Sequence, residues 1–300
     1  MGAKLRIVRR QIRSVQSTMK ITRAMELIAA SRIVKAQQRV EAARPYAELL
    51  TRAMEDVARQ TGSLVHPLLE HRPEPRRAGV LVVTSDRGLA GAYSTNVIRR
   101  AEALGREIAG RGLEQALYLT GKKGQSYFRF RGVPAEAVWT GFSEVPPYSA
   151  AETVGGRLIE DFAERRIDEL HAVYTDFRSA FSMRVTVNRF LPIAQEEVLR
   201  RELGKPHPEY LFEPAPQQIL DELLPQYVIT KVFHAFLESA ASENAARRRA
   251  MKSATDNAEE LIRIYTRQAN RARQDEITTE ISEIVGGAEA LAQASGDGQP

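Results

Sequence analysis

Leu5-Arg6-Ile7-Val8-Arg9-Arg10-Gln11-Ile12-Arg13-Ser14-Val15-Gln16-Ser17-Thr18-Met19 begins the pattern that decides the fold. Alternating steps of three and four from Leu5 land on Val8, Ile12, Val15, Met19, Thr22, Glu26, Ala29, Ile33, Ala36, Val40, Ala43, Ala47, Leu50, Met54 and Val57. Only Thr22 and Glu26 among them are not apolar. A 3.5-residue spacing held this long places one narrow apolar seam along a helix, which is the signature of a coiled coil. Alanine at 29, 36, 43 and 47 lets a partner helix approach closely. Pro45 removes one backbone hydrogen bond, so a bend is expected there rather than an end.

Glycine placement extends this reading to the rest of the chain. Of nineteen glycines none falls between Ala3 and Thr61 or between Lys205 and Val285, whereas the stretch between holds most of them. Glycine weakens helix interiors and serves turns, so two long helical arms flank a turn-rich middle. The second arm is expected from about Gln217 to Val285, with no proline after Pro225. Its apolar stripe runs through Phe233, Phe236, Leu237, Ala240, Ala241, Met251, Ala254, Ala258, Leu261, Tyr265, Ala269 and Ala272. After a register shift, Ile277, Ile281, Ile284 and Ala288 continue it. Asn244 and Arg247 interrupt the stripe, and Gly286-Gly287 is expected to stop or loosen the helix. Two long helices, each with one seam and both joined to the same middle domain, are most economically paired antiparallel within one chain. An intermolecular coil is the competing arrangement.

The middle alternates strand and helix. Strands are expected at Gly79–Ser85, Gln115–Thr120, Ala135–Thr140, Leu170–Thr175 and Met183–Leu191, the last two as a hairpin. Helices are expected at Ser94–Arg111, Gln125–Arg131 and Ala151–Arg165. That order predicts a mainly parallel sheet in a Rossmann-like α/β domain. The expected division is a first coiled-coil helix over 1–60, the α/β domain with its loops over 61–214, a second coiled-coil helix over 215–291 and a disordered tail over 292–300.

An α/β domain invites a test for nucleotide binding. Ser85-Asp86-Arg87-Gly88-Leu89-Ala90-Gly91 lacks the third glycine of a dinucleotide fingerprint. At Thr120-Gly121-Lys122-Lys123, a phosphate loop would need glycine where Ala116 stands and a hydroxyl residue where Lys123 stands. Both readings fail, leaving glycines that turn the chain between strand and helix. No cysteine is present, which removes disulfides and thiolate chemistry. Of the histidines only His66 and His71 approach ligand spacing, across a proline-containing loop, and they make a poor metal pair. No catalytic or cofactor-binding set can be assembled from spacing. No apolar run is long enough to span a bilayer, and the N-terminus has no uninterrupted apolar core of a secretory signal.

Net charge is +5, but residues 1–40 hold ten basic side chains against the single acid Glu26. Such asymmetry points to nucleic acid, an anionic surface or an acidic protein partner. Two function classes remain: a mechanical or assembly protein whose coil engages a partner, and a nucleic-acid binder with a basic first helix. Charge and seam share the same stretch from Leu5 onward, with the basic residues falling at heptad positions b, c, e, f and g around the non-seam face. That favours a shaft surrounded by acidic protein over a groove-reading helix and argues against nucleic acid.

Five stretches carry a resemblance. Ile21-Thr22-Arg23-Ala24-Met25-Glu26-Leu27-Ile28-Ala29-Ala30-Ser31 resembles the first-helix signature of the bacterial F-type ATP synthase gamma subunit family. Ser85-Asp86-Arg87-Gly88-Leu89 is similar to its loop after the first strand. Ser242–Arg247 with Ala250–Asn257, and Arg273–Ala288, are similar to its C-terminal signatures. The resemblance covers Lys4 to Leu291 in order. Ala90 stands where many relatives have cysteine, and the dithiol insert of chloroplast members is absent.

The resemblance implies a non-catalytic rotor shaft without a cofactor, present as a single copy. It would transmit rotation between a proton-driven c ring and a catalytic ring of alpha and beta subunits, with epsilon beside it at the foot. It would lie on the cytoplasmic side of the plasma membrane, peripheral through the complex. Contacts to the alpha/beta ring are then expected from Met25, Glu26, Arg247, Arg273, Gln274, Thr278 and Glu280. Contacts to epsilon and the c ring are expected from Tyr210, Phe212 and Glu213. Glu26 also has a plainer reading, a seam defect paired with a nearby arginine.

Overall fold

The computed structural model describes residues 3–61, 66–179, 182–194, 213 and 215–296. Helix α1 runs over Ala3–Thr61 and the final helix, α5, over Pro216–Gly296. Between them come β1 (Arg77–Val83), α2 (Tyr93–Gly110), β2 (Glu114–Thr120), α3 (Lys122–Phe130), β3 (Ala137–Trp139), α4 (Tyr148–Ala163), β4 (Glu169–Phe177) and β5 (Met183–Leu191). The chain forms two compact units, residues 1–27 with 250–300, and residues 28–249.

The long helices obey the seam. All sixteen predicted positions on α1 are buried or half-buried, while every described non-seam residue from Lys4 to Ala24 is exposed. In the first unit α1 and α5 pack antiparallel, with Leu5, Val8 and Thr22 buried from one helix and Met251, Thr255, Ala258 and Ala272 from the other. Thr22, an exception in the apolar pattern, meets Thr255 with 2.8 Å between hydroxyl oxygens. The polar step is thus satisfied across the seam rather than left open.

Neither proline ends its helix: Pro45 lies inside α1 and Pro225 inside α5. Two expectations for the last helix change. It passes through Gly286 and Gly287 and continues to Gly296, so 292–296, expected as disordered tail, are helical; 297–300 lie outside the described residues. Two glycines cost helix only about 1 kcal/mol each, and no proline follows until Pro300. The predicted continuation of the stripe is apolar but bare. Ile277, Ile281 and Ile284 are 46%, 56% and 72% exposed and Ala288 is exposed too, whereas Ala272 is the last buried residue described on α5.

The sheet of the second unit has the order β3-β2-β1-β4-β5. The first four strands are parallel and β5 returns antiparallel to β4. Alternation divides the side chains between two cores. Ala78, Val80, Val82, Leu117 and Leu119 face α2 and α3. Leu81, Val83, Tyr118, Leu170 and Ala172 face α4, the end of α1 through Met54 and Val57, and α5 from Leu220 to Phe236. The short β3 follows Pro134 and stops before Gly141, whose φ of 101° suits glycine alone.

At the amino end of the sheet, buried Asp161 accepts from Tyr118 Oη (2.5 Å), Arg157 Nε (2.9 Å) and Arg166 Nε (2.6 Å). Burial alone would raise its pKa, but these three donors outweigh it and hold the carboxyl below its usual range.

Candidate functional site

The carboxyl ends of parallel strands are where α/β domains take ligands, so the loops after β1 and β2 come first. A helix N-terminus offers an anion its unpaired N–H groups. On α3 none is left over. Asp86 Oδ1 accepts the N–H of Lys122 (3.2 Å), the Ser85 carbonyl that of Lys123 (3.0 Å), Thr84 Oγ1 that of Gly124 (2.9 Å), and the Gly121 carbonyl that of Gln125 (3.3 Å). The negative group at this helix end is the chain's own Asp86. Gly121 is required because its φ is 87° and a Cβ there would lie 2.2 Å from the Thr84 carbonyl oxygen.

The crevice itself is filled by α5. Phe236 packs against Phe142 with 5.3 Å between ring centres and the rings tilted by 47°, and Ser242 Oγ donates to the Thr175 carbonyl (3.3 Å). Among Thr84, Thr120, Gly121, Phe142, Phe236 and Ser239 only about 10 Å³ of void remains, room for one water. This segment is not the interrupted stripe that the sequence suggested. Ser242, Glu243, Asn244, Ala245, Ala246 and Arg247 are all buried, because the α/β domain covers faces a free coiled coil would expose.

Arg247 therefore lies inside the chain. Its guanidinium donates to Glu243 Oε1 (2.6 Å) and the Gly88 carbonyl (3.3 Å) and lies 3.4 Å from Glu144 Oε1. Glu144 also pairs with Arg32 of α1 through Oε2, and Arg87 approaches Oε1 at 3.7 Å. Glu144 is positioned by Asp86: Asp86 N–H donates to Ser143 Oγ (2.9 Å), and the N–H groups of Gly141 and Ser143 donate to Asp86 Oδ2 (2.8 and 3.1 Å). Burial pushes the Glu243 carboxyl up; Arg247 and Ser143 oppose the shift and Glu144 adds to it. Sequence reasoning missed Glu144, which lies in an irregular proline-flanked loop with no periodic signal. The Glu243–Arg247 pair was legible as an i, i+4 pair on a helix.

Of the other expected contact residues, Met25 and Glu26 are half-buried on α1, and no ion pair joins Glu26 to an arginine among the described residues. Arg273, Gln274, Thr278 and Glu280 are exposed on the bare part of α5, where Thr278 Oγ1 donates to the Gln274 carbonyl (2.9 Å). With Thr22 opposite Thr255 and a rise of about 1.5 Å per residue, the Met25–Glu26 level and Arg273 are roughly 30 Å apart along the coil. They form separate levels, not one site. Glu213 is exposed, and Tyr210 and Phe212 lie outside the described residues. His66 Nδ1 accepts the Leu68 N–H (3.0 Å) while Nε2 faces Asp221. No cluster of potential metal ligands occurs among the described residues.

Long paired helices and a Rossmann-like α/β domain whose crevice is filled by its own helix define a coiled-coil protein with an α/β domain. Residues 4–291 match the family model described as ATP synthase. The chain is 57% identical to the ATP synthase gamma chain of Acidothermus cellulolyticus over 97% of this chain and 98% of that one. It is 54% identical to that of a Parafrankia species, over 98% of this chain and 100% of that one. The fold is similar to a chain of the Euglena gracilis mitochondrial ATP synthase in an OSCP/F1/c-ring structure. That match has a TM-score of 0.66 at 16% identity and covers 100% of this chain and 98% of that one. The chain belongs to the ATP synthase gamma chain family and is a non-catalytic subunit of that enzyme.

Proposed function

We propose that this chain is the single-copy rotor shaft that couples a proton-driven c ring to a catalytic alpha/beta ring, with epsilon at its foot. The complex would place it on the cytoplasmic side of the plasma membrane. No helix among the described residues is long and apolar enough to cross a membrane, so attachment runs through its neighbours. The observation that carries the reading is the uncovered stretch of α5 beyond Ala272. There an apolar row of Ile277, Ile281 and Ile284 stands bare beside exposed Arg273, Gln274, Thr278 and Glu280. Solvent is a poor environment for such a row, and a surrounding protein sleeve is a good one.

In that sleeve the polar residues, with Met25 and Glu26 at a second level, make contacts that differ as the shaft turns. Differential contact is the physical condition for coupling, since equal contacts with every catalytic site shift nothing. Arg247 acts differently. Buried as it is, it orients the coil from within. Glu213, with Tyr210 and Phe212, is assigned to the epsilon and c-ring side.

The test is Arg273→Ala with Gln274→Ala in the reconstituted complex. Hydrogen bonds to charged groups contribute about 1.5–3 kcal/mol, enough to bias one catalytic site over another. The apolar seam is untouched, so subunit stoichiometry should stay normal while coupled ATP turnover falls several-fold. Full turnover in a fully assembled double variant would remove both residues from the coupling contact.

A further inference from the structure

We propose that Glu144 is a positioning residue of the shaft, a clasp through which the α/β domain holds both helices of the coil against torque. Three parts of the chain converge on this one carboxylate: Arg32 from α1, Arg87 from the loop after β1, and Arg247 from α5. Its loop is fixed to the sheet by the reciprocal hydrogen bonds between Asp86 and Ser143. Any turn of the α/β domain about the helices must therefore displace the Arg32 and Arg247 pairings together. The hydrophobic core beneath is non-directional and resists separation more than sliding, whereas ion pairs with fixed partners resist rotation.

The two carboxylate oxygens are used unequally. Oε2 bonds Arg32, while Oε1 is buried without a hydrogen bond, 3.4 Å from Arg247 and 3.7 Å from Arg87. An oxygen held between two guanidiniums, bonded to neither, can tighten on whichever moves toward it. Arg247 remains anchored by Glu243 at 2.6 Å in the meantime. The clasp can thus yield slightly under load without opening.

The proposal rests on the shaft role, and its test separates the two. In the reconstituted complex, ATP hydrolysis and ATP-driven proton pumping are measured on the same sample, with subunit stoichiometry. Glu144→Gln, and separately the half-exposed Arg32→Gln, should retain hydrolysis but lower the pumping-to-hydrolysis ratio about threefold, the scale of one partly exposed ion pair. The cysteine-free chain then allows Arg32→Cys with Glu144→Cys, bridged by a short bis-maleimide in place of the ion pair. Bridging should restore the ratio, which a purely stabilising role would not predict. A normal ratio in assembled Glu144→Gln would overturn the clasp. If that variant does not assemble, a normal ratio in Arg32→Gln overturns it, as does a bridged pair with no recovery. Failure of the unmodified chain to couple hydrolysis to pumping would instead sink the shaft reading.

Discussion

At the scale of single residues, half-buried polar groups on α5 and at the end of β4 tie stability to pH. Glu238 lies on α5 with Oε1 3.5 Å from His234 Nε2, and Asp176 at the end of β4 faces it. Burial first, and then Asp176, push the Glu238 carboxyl up to about 8. Burial lowers the His234 pKa, opposed by Asp176 and reinforced by Arg44, so near neutral pH both partners are uncharged and their contact is not an ion pair. Arg178, 3.3 Å from Asp176, keeps the second carboxylate compensated. An unfolded chain releases the Glu238 proton near its ordinary value, about 4.3. Between there and pH 8 the folded state holds more protons, so this group's contribution to stability falls as pH rises through that window. Glu238→Gln keeps the shape and cannot ionise. Its urea midpoint should exceed that of the unmodified chain at pH 9, and the gap should close by pH 5. A constant gap across that range would show that Glu238 does not carry the buried proton.

At the scale of elements, the two long helices show how far one periodic signal reaches. The seam on α1 was legible to the residue, because in a coiled coil burial depends only on helical phase. Its exception at Thr22 became intelligible only through Thr255, which sits 1% exposed opposite it. Thr22 Oγ1 also reaches the Met19 carbonyl (3.0 Å) and Thr255 Oγ1 the Met251 carbonyl (2.9 Å). Two hydroxyl protons cannot fill three contacts at once, so the hydroxyl that donates across the seam gives up its carbonyl. The short approach offers a clean test of pairing within one chain. Thr22→Cys with Thr255→Cys, in a background without other cysteines, should oxidise to a cross-linked monomer on a non-reducing gel. Cross-linked dimers alone at low protein concentration would mean that the seam pairs between chains. Glu26, the other exception, pairs with no arginine among the described residues.

At the scale of the whole molecule, the α/β unit carries a Rossmann-like strand order without its usual use. Every N–H in the first turn of α3 is taken internally, and Phe236 and Ser239 occupy the crevice. The chain by itself should therefore give no saturable heat on titration with ATP or ADP and no hydrolysis above a blank. Micromolar binding that disappears on changing Gly88 or Gly91 would contradict the closed crevice.

Local pattern determined much of this protein. The heptad from Leu5 to Val57, the glycine distribution and the alternating strands specified two long helices around a mainly parallel sheet. Each of those signals is a repeat that a few neighbouring residues carry. The failed phosphate loops were legible for the same reason, since loop chemistry needs particular residues at adjacent positions. Only the tertiary structure decided where α5 is covered. From Ala235 to Arg247 the α/β domain surrounds it, which turned an apparently interrupted stripe into a buried polar network. Beyond Ala272 none of the described residues of α5 is buried, which turned the expected continuation of the stripe into an exposed one. Glu144 escaped the sequence because its partners, Arg32 and Arg247, lie about a hundred residues away on either side. An ion pair across that separation exists only after folding has brought its ends together, so no local signal foretells it.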